Sequence, residues 1–187
     1  ERTQTRQSGR VLLILAVSFW YGRLAVEASL EKNATNLAAA AAGRFALDFA
    51  RAAAIPETIA AQMESLPIES EAPLLDYQKA LLRRHPQLYG ICLAFEPYGF
   101  APDRLFFAPY FYFKNGEPVF VQLGNADYDY VKRDWYLLPR EAGRAMWSEP
   151  YFDEGGGEVT MTTYAVPFRR QGKFWGVATA DLSLDAL

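Results

Sequence analysis

The chain has a single cysteine and a single histidine among its 187 residues. With Cys92 alone, an intrachain disulfide and a cysteine-based metal site are both excluded. It sits in the apolar run Leu88-Tyr89-Gly90-Ile91-Cys92-Leu93-Ala94-Phe95, where a buried, inert thiol is expected. His85 stands beside Arg83, Arg84 and Pro86 at the end of a helical stretch and reads as a solvated helix terminus. Without a second histidine there is no histidine-based metal site, and no Ser-His-Asp set except through His85. No catalytic residue, metal ligand or cofactor is assigned. An excess of positive charge is also missing: 19 basic and 22 acidic residues leave a net charge of −3, and no basic block marks a nucleic-acid surface. Gly155-Gly156-Gly157 lacks the Lys-Ser or Lys-Thr of a phosphate loop and reads as a loop tip.

Long apolar runs are scarce as well. The best of them, from Val11 to Gly22, would span roughly 18 Å as a helix, against roughly 30 Å for a bilayer core. It is preceded by Arg2, Arg6 and Arg10, followed by Arg23, and ends on Trp20 and Tyr21, which fit an interfacial belt. Snorkelling arginines and the continuation through Leu24-Ala25-Val26 lengthen it. The expected organisation is a cytoplasmic stub over residues 1–10 and a transmembrane anchor over 11–26. A cleaved signal peptide and a packed core helix are the rival readings of the same run.

The segment from Ala25 to about Ala54 is rich in helix formers. Leu30, Leu37, Ala41, Phe45, Phe49 and Ala53 recur at three- to four-residue steps, with Ile55-Pro56 read as the end of that helix and a shorter helix after it. Residues 27–72 are thus a long stalk helix and a following helix, well beyond the usual roughly 11–12 residues. Residues 73–187 form the second part. Leu74 to Arg84 is an amphipathic helix stopped at His85-Pro86. From Leu88 the pattern turns to strands: Leu88–Phe95, Leu105–Phe113, Pro118–Leu123, Thr160–Phe168 and Phe174–Leu182, with turns at Lys114-Asn115-Gly116-Glu117 and Gln171-Gly172-Lys173. The stretch up to Arg144 interrupts them with short helical pieces. The fold class is α+β: a long N-terminal helix followed by an antiparallel sheet flanked by helices. Aromatic residues reach 15%, which suits a half-wet pocket as well as a core.

The most informative segments are Tyr128-Asp129-Tyr130-Val131-Lys132-Arg133-Asp134-Trp135-Tyr136, Trp147-Ser148-Glu149-Pro150-Tyr151-Phe152-Asp153 and Gly176-Val177-Ala178-Thr179-Ala180-Asp181-Leu182-Ser183-Leu184. Together they resemble the Cache family, in its double-Cache type: PAS-like extracytoplasmic sensor domains of bacterial chemoreceptors, sensor histidine kinases, cyclases and phosphatases. The resemblance implies a sensory module in the periplasm or outside the cell, held at the inner membrane, that binds a small solute and is not itself an enzyme. It also implies that 73–187 is the membrane-distal module, with a proximal module, a second membrane span and an output domain beyond Leu187. A homodimer through the long helix is compatible with it.

One branch of that family binds free amino acids, and this sequence is similar to its pocket pattern at Tyr128, Arg133, Trp135, Tyr136, Tyr151, Asp153 and Asp181. The chemistry is consistent: an α-amino acid needs a cation for its carboxylate and anions for its ammonium. Arg133 can fork onto the first; Asp153 and Asp181 can accept from the second, beside the tyrosine hydroxyls. Asp181 shares strand parity with Val177 and Thr179. The plainer readings are a surface pair of Arg133 with Asp129 or Asp134, tryptophans and tyrosines that are core, and Asp153 as a cap of the glycine turn. The ligand classes left open are an amino acid or amine, another small organic solute, or none, the last making the chain a structural or dimerisation module.

Overall fold

The computed structural model describes residues 2–68, 70–125 and 128–185, with side chains from residue 18 onward. The chain divides into two compact units, residues 1–47 and 48–187. Helix α1 (Arg2–Ser65) supplies the whole described part of the first unit. Every described side chain there is exposed, including Trp20, Leu30, Leu37 and Phe45. The side chains of 2–17, and with them residues 11–17 of the expected anchor, lie outside the described residues. Among the described residues no helix is long and apolar enough to cross a membrane.

In the second unit, α1 does not stop at Pro56, as its sequence pattern implies; it runs on to Ser65. An interior proline removes one backbone hydrogen bond at roughly 3 kcal/mol. Here Ala52, Ile55, Ile59 and Met63, spaced three to four apart, are buried in one core cluster together with Ala60. That burial outweighs the lost bond, so packing overrides local preference. Helix α2 (Glu71–Arg84) buries Leu74, Gln78 and Leu82 on one face, with Glu71 in its first turn and Arg83 and Arg84 in its last. The Gln78 side chain donates to the Pro109 carbonyl at 3.1 Å, fixing α2 onto the sheet.

Among the described residues the sheet is antiparallel throughout and has seven strands: β1 (Gly90–Phe95), β2 (Ala108–Lys114), β3 (Glu117–Leu123), β4 (Met146–Trp147), β5 (Tyr151–Phe152), β6 (Thr160–Arg170) and β7 (Lys173–Ser183). Their order is β3-β2-β1-β7-β6-β4, with β5 also pairing β6. Two hairpins close on two-residue turns with positive φ, Asn115-Gly116 and Gln171-Gly172, the geometry that suits strand twist. Between β3 and β4 lie a 3-10 turn (Tyr130–Lys132) and helix α3 (Asp134–Ala142).

Strand alternation sorts the interior into two layers. Ile91, Leu93, Phe95, Phe111, Ala178, Ala180 and Leu182 join the cluster that holds α1 and α2. Cys92, Ala94, Tyr110, Tyr112, Ala165 and Val177 face the other way and pack with Tyr128, Tyr130, Trp135 and Tyr136. The first layer is apolar. The second is aromatic and carries the buried Asp153, Thr163, Thr179 and Asp181.

Candidate functional site

Asp181 lies on β7 on the second face, with the parity of Val177 and Thr179, and is 3% exposed. Strand register puts Thr163 of β6 opposite it, and the threonine hydroxyl donates to Asp181 Oδ1 at 2.7 Å. Tyr151 Oη and Thr163 Oγ1 share a second hydrogen bond at 2.8 Å, so a chain of hydroxyls leads from Tyr151 to the carboxyl. Asp153, 4% exposed, is held differently. Tyr128 Oη donates to its Oδ1 at 2.6 Å and the Gly157 amide donates to its Oδ2 at 2.6 Å. It therefore caps the glycine turn and faces the pocket at once. The glycine run is a turn, as its composition suggests, with Gly155 exposed but Gly156 and Gly157 folded inward and buried.

Both carboxyls meet at a small chamber of about 10 Å³, lined also by Tyr110, Tyr128, Trp135 and Tyr151. That is room for about one water molecule. A wider cavity of about 370 Å³ lies beside it, lined by Lys132, Arg133, Asp134, Ser148, Glu149 and Phe152 among others. Trp135 and Tyr151 line both spaces and form the wall between them. The Arg133 guanidinium sits over the Tyr128 ring, 4.5 Å from its centroid, and among the described residues joins no ion pair. Asp129 pairs with Lys132 instead, at 2.8 Å.

Burial and the neighbouring Asp153 charge push the Asp181 carboxyl up to about 7, against the easing effect of Thr163 and Tyr110. Asp153 is raised by burial, opposed by the Tyr128 and Gly157 hydrogen bonds and by Arg133. The hydroxyls of Tyr110, Tyr128 and Tyr151 are all driven up, first by burial and then by both carboxylates for Tyr110 and Tyr151 and by Asp153 for Tyr128, and stay protonated. Tyr110 Oη approaches Asp181 but makes no hydrogen bond of regular geometry, and it is one of few buried polar atoms without a partner among the described residues. Such an atom loses its water without replacement, a state that a ligand can relieve.

Six of the seven residues singled out in the sequence line one cavity or the other; Tyr136 lines neither. Its hydroxyl donates to Glu96 Oε2 at 3.1 Å, Arg140 donates to Glu96 Oε1 at 2.7 Å, and its ring packs edge-on against Phe174. Adjacent residues of a helix point about 100° apart, so Trp135 and Tyr136 cannot share a pocket wall easily. The sequence pattern does not single out Tyr110 or Thr163. Parity alone puts Tyr110 on the right face, but only the β6–β7 register reveals that Thr163 meets Asp181.

Residues 74–187 match the family described as methyl-accepting chemotaxis protein-like, first PDC sensor domain. The chain belongs to that family. This PDC sensor domain is 40% identical over 80 residues to the methyl-accepting chemotaxis protein PscA of Pseudomonas syringae pv. tomato, a stretch that is 41% of this chain and 13% of PscA. It is similar to the extracellular domain of the putative histidine kinase soHK1S-Z6, with TM-score 0.70 and 30% identity over 76% of this chain and 56% of that one. The ligand-binding domain of the Pseudomonas aeruginosa PAO1 amino acid chemoreceptor PctC, in complex with GABA, shares the fold at TM-score 0.53 and 20% identity, covering 74% of this chain and 58% of that one. The PAS-like α+β sensor architecture expected from the sequence is therefore the observed one, and the chain is an extracytoplasmic sensor domain by family.

Within the sensor domain, Gly157 cannot take a side chain unless its neighbours shift. A methyl group there would lie 2.7 Å from the Tyr89 ring and 3.1 Å from Tyr110 Oη, while Tyr89 Oη donates to the Gly157 carbonyl. Gly157→Ala is expected to lower stability by about 1–3 kcal/mol, the usual range for overpacking, as read by urea denaturation.

Proposed function

We propose that this domain captures a small solute bearing an ammonium group, an amino acid or an amine, outside the inner membrane of a bacterium, and passes the event to the receptor of which it is a part. The observation that carries this reading is the pair of buried carboxyls, Asp153 and Asp181, closing one end of an aromatic-walled site whose other cavity holds Arg133. An ammonium in the inner chamber would meet two anions and the partnerless Tyr110 oxygen. A carboxylate in the outer cavity would meet the free guanidinium fork. Trp135 and Tyr151, between the two, keep water from the charges. GABA, the ligand of the PctC structure, carries the same two groups and supports the choice of class.

In this reading residues 11–26 anchor the chain in the membrane, and the exposed Leu30, Leu37 and Phe45 of α1 offer a face for a second copy. A thermal-shift panel of the twenty L-amino acids, GABA, putrescine and simple carboxylic acids tests the capture step. A member present at 100 times its Kd should add about 2.7 kcal/mol, or roughly 5–10 °C for a domain of this size. Shifts by carboxylic acids lacking nitrogen, with none by amines or amino acids, would reject the ammonium site. The tightness of the inner chamber favours one other reading, a structural or dimerisation module filled by its own side chains; no shift from any compound would favour it.

A further inference from the structure

We propose that the inner chamber exchanges a proton for its ligand: the empty site holds Asp181 as the neutral acid, and an incoming ammonium expels that proton. This deepens the proposed ammonium capture and rests on it. The geometry forces the exchange. Two carboxyl groups face a space with room for about one water, and no basic side chain lines it among the described residues. Arg133 lies beyond the Tyr128 ring and acts on Asp153. Two adjacent buried anions that share at most about one water, with no cation lining their chamber, cannot both stay charged, so one carries a proton until a cation arrives. Asp153 already accepts two donors, from Tyr128 and Gly157. Asp181 accepts a side-chain hydrogen bond of regular geometry from Thr163 alone among the described residues, so the proton belongs on Asp181.

The groups around Asp181 leave no other candidate. The charges that bear on the pair are Asp153 itself and, acting on Asp153, Glu158 and Arg133. The phenols of β2, β5 and the segment before α3, namely Tyr110, Tyr151 and Tyr128, are held protonated, as is the Cys92 thiol of β1. Tyr89, just before β1, is pushed up to about 12. The burial that raises Asp181 to about 7 centres its change of charge between about pH 5.5 and 8.5.

The proton also has a way out. With Asp181 neutral, the same 2.7 Å contact runs in reverse: its O–H donates to Thr163 Oγ1 and the Thr163 hydroxyl donates to Tyr151 Oη, of the residue that lines the outer cavity. Each hydroxyl hands on its own proton as it receives one, and Tyr151 releases one to water. The net change is one carboxylate formed and one proton in solvent, with both hydrogen bonds now pointing back toward Asp181. The ammonium then faces two anions, and the complex keeps its charge balance.

The test is the same amino-acid, GABA and putrescine panel run at about pH 5.5, 7.0 and 8.5, followed for each compound that shifts the melting temperature by calorimetry in buffers of different ionisation enthalpy. Loss of a group titrating near 7 predicts binding about thirtyfold weaker at pH 5.5 than at pH 8.5, with up to one proton released per ligand at the acid end. A compound that binds with equal Kd at all three pH values and releases no proton overturns the exchange while leaving the ammonium site standing. A panel in which nothing binds at any pH overturns both. Tighter binding in acid would also end the proposal, since it requires proton uptake.

Discussion

Asparagine in place of Asp181 is expected to stabilise the ligand-free domain above neutral pH while abolishing its response to amino acids and amines. The wild-type carboxyl is raised from 3.8 to about 7 on folding, so the folded state holds its proton more tightly than the unfolded chain. Stability from this group is therefore fully present below pH 3.8 and declines as pH rises to about 7, beyond which the buried anion exerts its full cost. Roughly three units at about 1.36 kcal/mol each amount to about 4 kcal/mol. Asparagine keeps the Thr163 acceptor, brings an N–H₂ toward the partnerless Tyr110 oxygen, and has no charge to lose. The measurement is urea denaturation of both proteins from about pH 4 to 8.5. The stability difference should grow in favour of Asp181→Asn up to about pH 7 and then level off; a flat difference would mean that the carboxyl titrates normally. The gain comes with loss of function because an amide cannot neutralise an ammonium. Sites that sacrifice stability for binding behave this way.

Arg133→Ala makes the complementary prediction. The guanidinium has no ion partner among the described residues and rests on Tyr128, a contact worth about 0.5–1 kcal/mol at a half-exposed position. Its removal should leave the melting temperature nearly unchanged. Loss of a charge-assisted fork to a carboxylate corresponds to about 1.5–3 kcal/mol, or roughly 10- to 150-fold in Kd. Amino acids and GABA should suffer that loss, whereas putrescine, which has no carboxylate, should bind Arg133→Ala as well as wild type. Calorimetry on the three ligands decides the matter. Equal weakening of all three would assign Arg133 to the framework of the wall and not to recognition.

The long strands are legible in the sequence because alternation extends over many residues: Thr160–Phe168 and Phe174–Leu182 fall inside β6 and β7, each only slightly longer in the structure. β4 and β5 are not, since two residues each carry no period. Pro56 misleads because its penalty is local while the burial of Ile55, Ile59 and Met63 is tertiary. The same division holds at the site. Asp181 can be oriented from strand parity, and Asp153 can be suspected from the turn beside it. Tyr136 looks like a pocket residue because it adjoins Trp135, but helical geometry turns it to Glu96. Thr163 is invisible, because its role depends on which residue of a neighbouring strand lies opposite.

The alternation along β7 has a mechanical corollary. Asp181 is bonded in the chain to Ala180 and Leu182, whose side chains point through the sheet into the layer shared with α1. A small displacement at the carboxyl is thus felt by the helix layer across the thickness of one strand, with no relay of intervening residues to traverse. The ion-capturing wall and the surface that grips the helix are two sides of the same peptide backbone.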